Sequence, residues 1–314
     1  MMGAGGVGSY YGALLARAGH EVTLVARGEH LEALRRQGHV RVREAGGEVW
    51  EVPVRAVGRP EGPPPDLAVV TVKSHQTLQA ARDLAPALGP GTLVLSLQNG
   101  VENVTRLTAA LGRDDVLGGQ CFVGLRVNDP GTVDHQAEGR VSLGDPAGGI
   151  TDRARAVFAI VDGAWNVTLS ADIVRDQWDK LLWNVGFNAM CAVTGCTSGE
   201  SLANPESAAL VREAMGELVA VANASGVPLT AADADRMAAF NPQLRDYRPS
   251  TAQDIAAGKA VERDAICGFV ARQGAELGID VPVNRVLDGL LALQEDRATG
   301  AIADRLRVLD ERAG

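Results

Sequence analysis

The sequence predicts an α/β domain over residues 1–170 followed by an all-helical domain over residues 171–314. Three observations lead to this fold class. A glycine-rich turn opens a helix near the N-terminus, short apolar runs alternate with helical stretches through the first half, and only helical patterns follow residue 172. The length of 314 residues suits two domains of ordinary size.

Apolar runs and helical spacings define the elements of the first domain. The first helix passes through Tyr10 and Leu15 and ends at Gly19. The expected strands lie, in chain order, at 21–26, 40–42, 49–54, 67–72 and 92–97, and further helices lie at 28–38 and 76–88. Because helical stretches separate strands, the pattern predicts parallel βαβ units.

The glycine-rich turn carries the first functional signal. Gly3, Gly5 and Gly8 match the spacing GxGxxG, and Gly6 and Val7 stand between the last two. Such a motif is weak evidence in a chain with 37 glycines, but here a helix and then a strand follow it. The N–H groups and the positive dipole end of that helix would bind phosphates. The motif therefore predicts a Rossmann-type dinucleotide-binding domain.

The first strand of such a domain is almost missing from the sequence. Only Met1 and Met2 precede the glycines, whereas a strand usually needs about five residues. Two explanations are open. Either translation starts a few residues upstream, which we favour, or the central strand is truncated and the sheet is weakened there.

Arg27 decides which cofactor is expected. It stands at the end of the second strand, where an NAD-binding protein would place an acidic residue against the ribose 2′-hydroxyl. A guanidinium instead suits a 2′-phosphate through bidentate hydrogen bonds. Glu29, two residues later, is the competing signal, although it could instead begin the next helix. We therefore expect NADP.

Composition excludes several classes of protein. The net charge of −9 and the pI of about 5.1 disfavour a nucleic-acid-binding protein, which usually carries a basic face. The sequence shows no apolar stretch of about 18 residues and no signal peptide, so no membrane association is expected. The four cysteines and five histidines lack metal-binding spacings. We expect a cytoplasmic protein with reduced thiols and no metal site.

The scarcity of lysine marks three positions. Only Lys73, Lys180 and Lys259 are lysines among the 30 basic residues, which leaves 27 arginines. Arginine can replace lysine wherever charge alone suffices, but it does not release its proton. The retained lysines are therefore candidates for proton transfer, with leftover surface residues as the alternative.

The second half carries a row of polar residues on an otherwise apolar helix. Helical patterns lie at 172–195, 206–225, 231–240, 260–277 and 283–297. In the first of these, Lys180, Asn184 and Asn188 recur every four residues on one face, with Gln177 beside them. We call Lys180, Asn184 and Asn188 the polar seam. Because buried polar groups need partners, the seam either links helices or lines a cleft for a small substrate with carbonyl, hydroxyl or carboxylate groups.

A second polar cluster extends from Ser250 to Glu262. In one continuous helix these residues would be about 18 Å apart, too far to share a small ligand. Gly258 suits the position after a helix end, so we expect a break there and a second helix starting near Glu262. Glu262 would then turn toward a cleft. The alternative is an exposed acid at a helix start.

Together these motifs resemble the ketopantoate reductase (2-dehydropantoate 2-reductase) family. The resemblance rests on Gly3-x-Gly5-x-x-Gly8, Val72-Lys73, Gln98-Asn99-Gly100, Trp178-x-Lys180-x-x-x-Asn184-x-x-x-Asn188, and Ser250-x-x-x-Asp254 followed by Glu262. It extends to about residue 297, and the combination is specific although each motif alone is not. It implies a Rossmann domain joined to a helical domain, and reduction of ketopantoate to pantoate with NADPH on the route to pantothenate.

The resemblance also implies roles for the substrate-binding residues. Lys180 would be the general acid that protonates the carbonyl oxygen, and Glu262 would hold both that lysine and the substrate oxygen. Asn184, Asn188 and Ser250 would hold the hydroxyl and carboxylate groups of the substrate.

On the cofactor side, the resemblance implies that Lys73 and Asn99 lie near the nicotinamide and that Arg27 meets the 2′-phosphate. Lys259 has no implied role and is expected to face solvent. Two alternatives stay open: an NADP-dependent reductase of another branched or aromatic 2-keto acid, since the family includes such members, and a non-catalytic NADP-sensing protein. A homodimer is also left open.

Overall fold

The structure, a computed structural model, describes residues 1–313. The chain folds into two compact units, of which the first covers Met1–Gln177 and the second begins at Trp178. Among the described residues, the strands all lie in the first unit, and the second unit is built from helices. The predicted α/β class with an all-helical C-terminal part is therefore confirmed.

Short strands and helices build the first unit. The strands are β1 (Thr23–Val25), β2 (His39–Glu44), β3 (Val49–Pro53), β4 (Arg55–Val57), β5 (Leu67–Val70), β6 (Leu93–Ser96), β7 (Val116–Arg126), β8 (Thr132–Gly144) and β9 (Asn166–Ser170). The helices are α1 (Gly6–Arg17), α2 (Gly28–Gln37), α3 (Thr77–Leu84), α4 (Asn103–Leu111) and α5 (Asp152–Val161). The expected strands and helices up to residue 97 are present, and β4 is an additional strand.

Met2 joins two groups of strands into the order of a dinucleotide-binding fold. One sheet has the order β3-β2-β8-β7-β6-β5, with β9 also paired to β8, while β1 pairs with β4. Met2 bridges Val25 of β1 and Val70 of β5 in parallel register. Its N–H donates to the Val69 oxygen over 2.7 Å, and its own oxygen accepts from the Thr71 N–H over 2.9 Å. The resulting order is β4-β1-Met2-β5-β6-β7.

Parallel pairing was expected for strands that helical stretches separate, and it is present between β5 and β6. No helix separates β2 from β3, and these two strands pair antiparallel. Residues 45–48 alone connect β2 to β3, and so short a link permits only an antiparallel hairpin. β7 and β8, which lie beyond the predicted strands, also pair antiparallel.

Apolar side chains cover both faces of the parallel strands. On β6, Leu95 belongs to a cluster with Tyr11 of α1 and Val157 of α5, whereas the adjacent Val94 belongs to a second cluster with Leu107 of α4. This alternation is the two-residue period of a strand buried on both sides. The carboxyl ends of these strands therefore emerge between two helical layers, where the loops that follow them are held in place.

Nine helices follow the last strand within the described residues. They are α6 (Ile173–Trp183), α7 (Ala189–Thr194), α8 (Ser198–Ala203), α9 (Pro205–Ala224), α10 (Ala231–Met237), α11 (Ser250–Ala256), α12 (Cys267–Leu277), α13 (Pro282–Thr299) and α14 (Ala301–Ala313). A π-helical turn at Asn184–Asn188 connects α6 to α7. The sequence did not predict this turn, and it did not predict α8 or α14.

Three further features bear on function. Among residues 1–313, no helix has both the length and the apolarity that a membrane span requires. The same residues contain no group of three or more His, Cys, Asp or Glu side chains that could hold a metal ion. The four cysteines are free thiols, and all are buried except Cys196, which is partly exposed.

Candidate active site

Two of the three motif glycines are fixed by close packing. Gly3 has a φ of +105°, and a Cβ added there would lie 2.6 Å from Val72 Cγ1. A Cβ added at Gly8 would press against the Gly3 oxygen and lie 2.6 Å from Thr71 Oγ1. The Thr71 hydroxyl in turn donates to the Gly3 oxygen over 2.7 Å. Only glycine therefore lets α1 approach the loop after β5 so closely.

The third motif glycine faces open space. Gly5 is the exposed N-cap of α1, and a Cβ added to it would meet nothing within 4 Å. It provides no side-chain cap for the first turn, which begins with Gly6 and Val7. An uncapped helix N-terminus beside open space suits an anion such as a pyrophosphate, because N–H groups and the helix dipole both favour negative charge.

Arg27 is exposed at the edge of the sheet that carries the glycine turn. It follows β1 as the N-cap of α2, and it donates from Nη2 to Gln76 Oε1 over 3.0 Å. Gln76 belongs to the loop after β5, so the bond connects the loops after two parallel strands. Glu29 is exposed in the first turn of α2, a position that suits the helix-starting role considered for it.

A buried hydrogen-bond network fixes the loops after β5 and β6. Gln98 donates from Nε2 to the Val72 oxygen over 3.0 Å and to Thr77 Oγ1 over 2.8 Å. Asn103 donates from Nδ2 to the Asn99 oxygen over 2.6 Å. Thr77 Oγ1 also lies 2.8 Å from Asn103 Oδ1. The sequence noted Gln98 only as part of a motif and missed Thr77 and Asn103, because the partners are far apart in the chain.

Lys73 and Asn99 lie in the two loops that this network holds. Lys73 is half-buried and precedes a short 3₁₀ turn at Ser74–Gln76. Asn99 is also half-buried and follows β6. The structure therefore places both residues at the carboxyl edge of the parallel strands, which is where ligands bind in such folds.

In the second unit, the polar seam is buried as predicted. Lys180 is 9% exposed, Asn184 4% and Asn188 3%. Asn188 donates from Nδ2 to Asn184 Oδ1 over 3.2 Å and reaches Ser250 Oγ at 3.5 Å. The structure thus brings together two seam residues and Ser250, which lies 62 positions after Asn188. Gln177, by contrast, donates from Nε2 to the Gly119 oxygen of β7.

The π-helical turn lies within the polar seam, from its second to its third member. The sequence predicted a regular α-helix there, so this turn is a correction. At its centre, a Cβ added to Gly186 would lie 2.5 Å from Met215 Cε and 3.1 Å from Val211 Cγ1, so α9 packs directly on the turn. Single π turns inside α-helices frequently occur at functional sites.

The predicted break at Gly258 is present. Gly258 has a φ of +67°, and the Lys259 N–H donates to the Asp254 oxygen over 2.9 Å, closing the end of α11. The next helix begins later than expected, because a 3₁₀ turn at Arg263–Ala265 precedes α12. Glu262 stands immediately before that turn and is only 5% exposed, which excludes the exposed-acid alternative. Lys259 is exposed, as expected.

Each unit therefore presents polar groups with a distinct chemical capacity. The first unit offers an uncapped helix N-terminus, an exposed guanidinium and two ordered loops, a set that suits a dinucleotide. The second offers a buried ammonium, a buried acid, two amides and a hydroxyl. Because burying such groups is costly, a protein retains them where they bind a polar ligand or one another.

Family models match both halves of the chain. Residues 1–148 match the model described as ketopantoate reductase PanE/ApbA, and residues 172–295 match the model of the C-terminal part of ketopantoate reductase PanE/ApbA.

Individual proteins agree with these matches. The chain is similar to the 2-dehydropantoate 2-reductase of Archaeoglobus fulgidus, with 33% identity over 292 residues that cover 93% of this chain and 95% of that protein. A PanE/ApbA family ketopantoate reductase from Ralstonia eutropha JMP134 superposes with a TM-score of 0.86 at 37% identity, covering 95% and 98% of the two chains. D-mandelate dehydrogenase with NADH and anilino(oxo)acetate superposes with a TM-score of 0.86 at 23% identity, covering 95% and 98%, and this likeness shows the fold alone.

Proposed function

The chain belongs to the ketopantoate reductase family of oxidoreductases, and we propose that it reduces 2-dehydropantoate (ketopantoate) to pantoate with NADPH, in pantothenate biosynthesis. The observation that carries this proposal is the burial of Lys180 in a helix whose next turns present Asn184 and Asn188. An ammonium and two carboxamides match the carbonyl, hydroxyl and carboxylate groups of such a substrate.

The proposed role of Lys180 follows from the charge that the reaction creates. Bound NADPH would supply a hydride to the carbonyl carbon. The electron pair of the carbonyl π bond then moves onto oxygen, so a proton must reach that oxygen. Lys180 Nζ gives this proton, its positive charge stabilises the developing alkoxide, and the amine regains a proton from solvent.

The remaining buried polar groups would orient the substrate. Glu262 is proposed to hold Lys180 and the substrate oxygen, and its burial is the supporting observation. Asn184, Asn188 and Ser250 are proposed to hold the hydroxyl and carboxylate groups, since together they offer both N–H donors and oxygen acceptors. Their contacts with one another support this role, because they set the side chains before a ligand arrives.

The choice of NADP rests on Arg27. Its exposed guanidinium at the end of β1, held by Gln76, would bind the 2′-phosphate. The open space at Gly5 would admit the pyrophosphate. Lys73 and Asn99 are proposed to flank the nicotinamide half, because they occupy the loops after β5 and β6.

Oxidation of NADPH, measured with ketopantoate and with branched and aromatic 2-keto acids, tests the proposal. Lys180→Ala should lower kcat/KM for ketopantoate by at least about 10²-fold. Lys180→Arg should be nearly as damaging, since a guanidinium keeps the charge but does not give up its proton. Lys259→Ala is the matched control, because Lys259 is exposed and should be dispensable.

Each alternative has its own signature in this assay. Near-normal turnover by Lys180→Ala would remove Lys180 from the mechanism. A strong preference for an aromatic or another branched acid would keep the reaction and change the substrate. NADPH binding without oxidation by any acid would identify a sensing protein.

A further inference from the structure

Gln120 of β7 carries a buried oxygen that nothing in the described chain satisfies. The residue is 8% exposed, and its Oε1 has no hydrogen-bond partner. A buried acceptor without a donor costs free energy, so native structures rarely retain one without a reason. Gln120 has no part in the proposed reaction.

The strand register places Gln120 beside the loops of the candidate cofactor site. Ser96, the last residue of β6, pairs with Gly118 of β7. Continued by two residues, this register brings Gln98, just beyond the end of β6, level with Gln120 of β7. The bond from Gln98 Nε2 to the Val72 oxygen continues this row to the loop after β5. Gln120 therefore lies within β7 but level with the carboxyl ends of β5 and β6, in one row with the segments that carry Lys73 and Asn99.

The neighbouring amides are already committed elsewhere. Gln98 Nε2 donates to Val72 and Thr77, and Gln177 Nε2 donates to the Gly119 oxygen over 3.2 Å. The side-chain amides of Gln98 and Gln177 thus direct these N–H groups at acceptors other than Gln120 Oε1. Gln120 Oε1 therefore remains available to accept a hydrogen bond from a ligand.

The fold indicates which half of a dinucleotide would reach this edge. The pyrophosphate would bind at the N-terminus of α1, and the proposed role of Arg27 would put the adenosine half on the β1 side of Met2. The nicotinamide half would then extend in the opposite direction, over the ends of β5 and β6 and toward the middle of β7. Its carboxamide is the one group of the nicotinamide ring that carries N–H donors.

We propose that Gln120 Oε1 accepts a hydrogen bond from the carboxamide N–H of the nicotinamide and so fixes the rotation of the ring. The inference rests on the proposed use of a nicotinamide cofactor, but it concerns binding and not turnover. Gln120 would then contribute to cofactor recognition from β7, a strand that the glycine motif and Arg27 do not include.

An analogue that lacks the donor gives a direct test. In the reduced 3-acetylpyridine analogue of NADPH, a methyl group replaces the amide nitrogen. Titration calorimetry of the full-length chain should show that the wild type binds NADPH about tenfold more tightly than this analogue, because the analogue leaves Oε1 without a donor. Gln120→Met, similar in size but without the acceptor, should bring the ratio close to one.

Two controls make the test specific. Gln136→Met changes an exposed glutamine of β8 and should keep the wild-type ratio. Gln120→Glu keeps an acceptor oxygen and should keep most of the wild-type preference for NADPH over the analogue. A wild-type ratio near one would overturn the inference even if Gln120→Met fails to fold, and so would an unchanged ratio in a folded Gln120→Met.

Binding and turnover separate this inference from the proposed function. If the ratio behaves as expected but no 2-keto acid is reduced, the role of Gln120 stands and the proposed reaction fails. If ketopantoate is reduced normally but the wild type binds NADPH and the analogue equally tightly, the proposed role of Gln120 is wrong and the proposed reaction stands.

Discussion

One methyl group at Gly5 should separate cofactor binding from folding. Gly5 has a φ of −83° and a ψ of −156°, which alanine adopts readily, and the added Cβ meets nothing within 4 Å. The cost in stability should stay below about 1 kcal/mol, the usual difference between glycine and alanine at an N-cap. The same methyl group would occupy the space that the pyrophosphate needs, so the Kd for NADPH should rise at least about tenfold.

The same change at Gly8 should act on the fold itself. There the methyl group would press on the Gly3 oxygen and lie 2.6 Å from Thr71 Oγ1, and one of these obstacles is backbone. Overpacking of this kind costs about 1–3 kcal/mol. At about 2–4 °C per kcal/mol for a chain of this size class, the Tm should fall by about 2–12 °C.

Thermal melting and NADPH titration together distinguish the two variants. Gly46→Ala serves as the control, because a Cβ at Gly46 also meets nothing within 4 Å and the residue lies in the hairpin between β2 and β3. It should leave both quantities unchanged. Wild-type NADPH affinity in Gly5→Ala would refute the assignment of the turn to the pyrophosphate, and a wild-type Tm in Gly8→Ala would refute the packing argument.

Three further predictions follow from named contacts. Arg27→Ala should raise the Kd for NADPH at least about tenfold while changing the Kd for NADH less than about twofold, and calorimetry with both cofactors checks this. The carboxylate of Glu217 accepts hydrogen bonds from the N–H groups of residues 283 and 284, at 2.8 and 2.9 Å, and so caps the start of α13. Glu217→Gln should therefore lower the free energy of unfolding, measured in urea, by about 1–3 kcal/mol. As a control, Glu213→Gln changes an exposed side chain and should leave that free energy almost unchanged. The hydrogen-bonded Arg153 guanidinium lowers the pKa of Asp145 to about 2. Because the folded pKa lies below the unfolded value near 4, Asp145→Asn should cost about 2 kcal/mol at neutral pH. The difference in the free energy of unfolding between the wild type and Asp145→Asn should shrink as the pH falls from about 4 toward 2. A difference that does not change with pH would contradict the ion-pair explanation.

Local spacing was sufficient to predict the glycine turn and the burial of the polar seam. Three glycines at fixed intervals constrain a turn over a few residues, and Lys180, Asn184 and Asn188 lie on one face because neighbours on a helix recur about every four residues. The helix break at Gly258 was predictable for the same reason, since a positive φ at a helix end is a local property.

Contacts between residues that are far apart in the sequence could not be predicted from local spacing. The π turn lies where Gly186 meets Met215 of α9, and no pattern within the turn reveals that neighbour. The network of Gln98, Thr77 and Asn103 joins residues 21 to 26 positions apart. The unsatisfied oxygen of Gln120 is visible only when the partners of every surrounding donor are known.

The π turn at Asn184–Asn188 determines how this helix tolerates a change in chain length. A π turn holds one residue more than an α turn, so it accommodates an extra residue within the helix. Deleting one residue between Asn184 and Asn188 should therefore restore α-helical winding and leave Asn188 on the face that carries Lys180, seven positions after it instead of eight. The same deletion in the regular helix α6 would rotate the residues downstream by about 100° and should be more damaging.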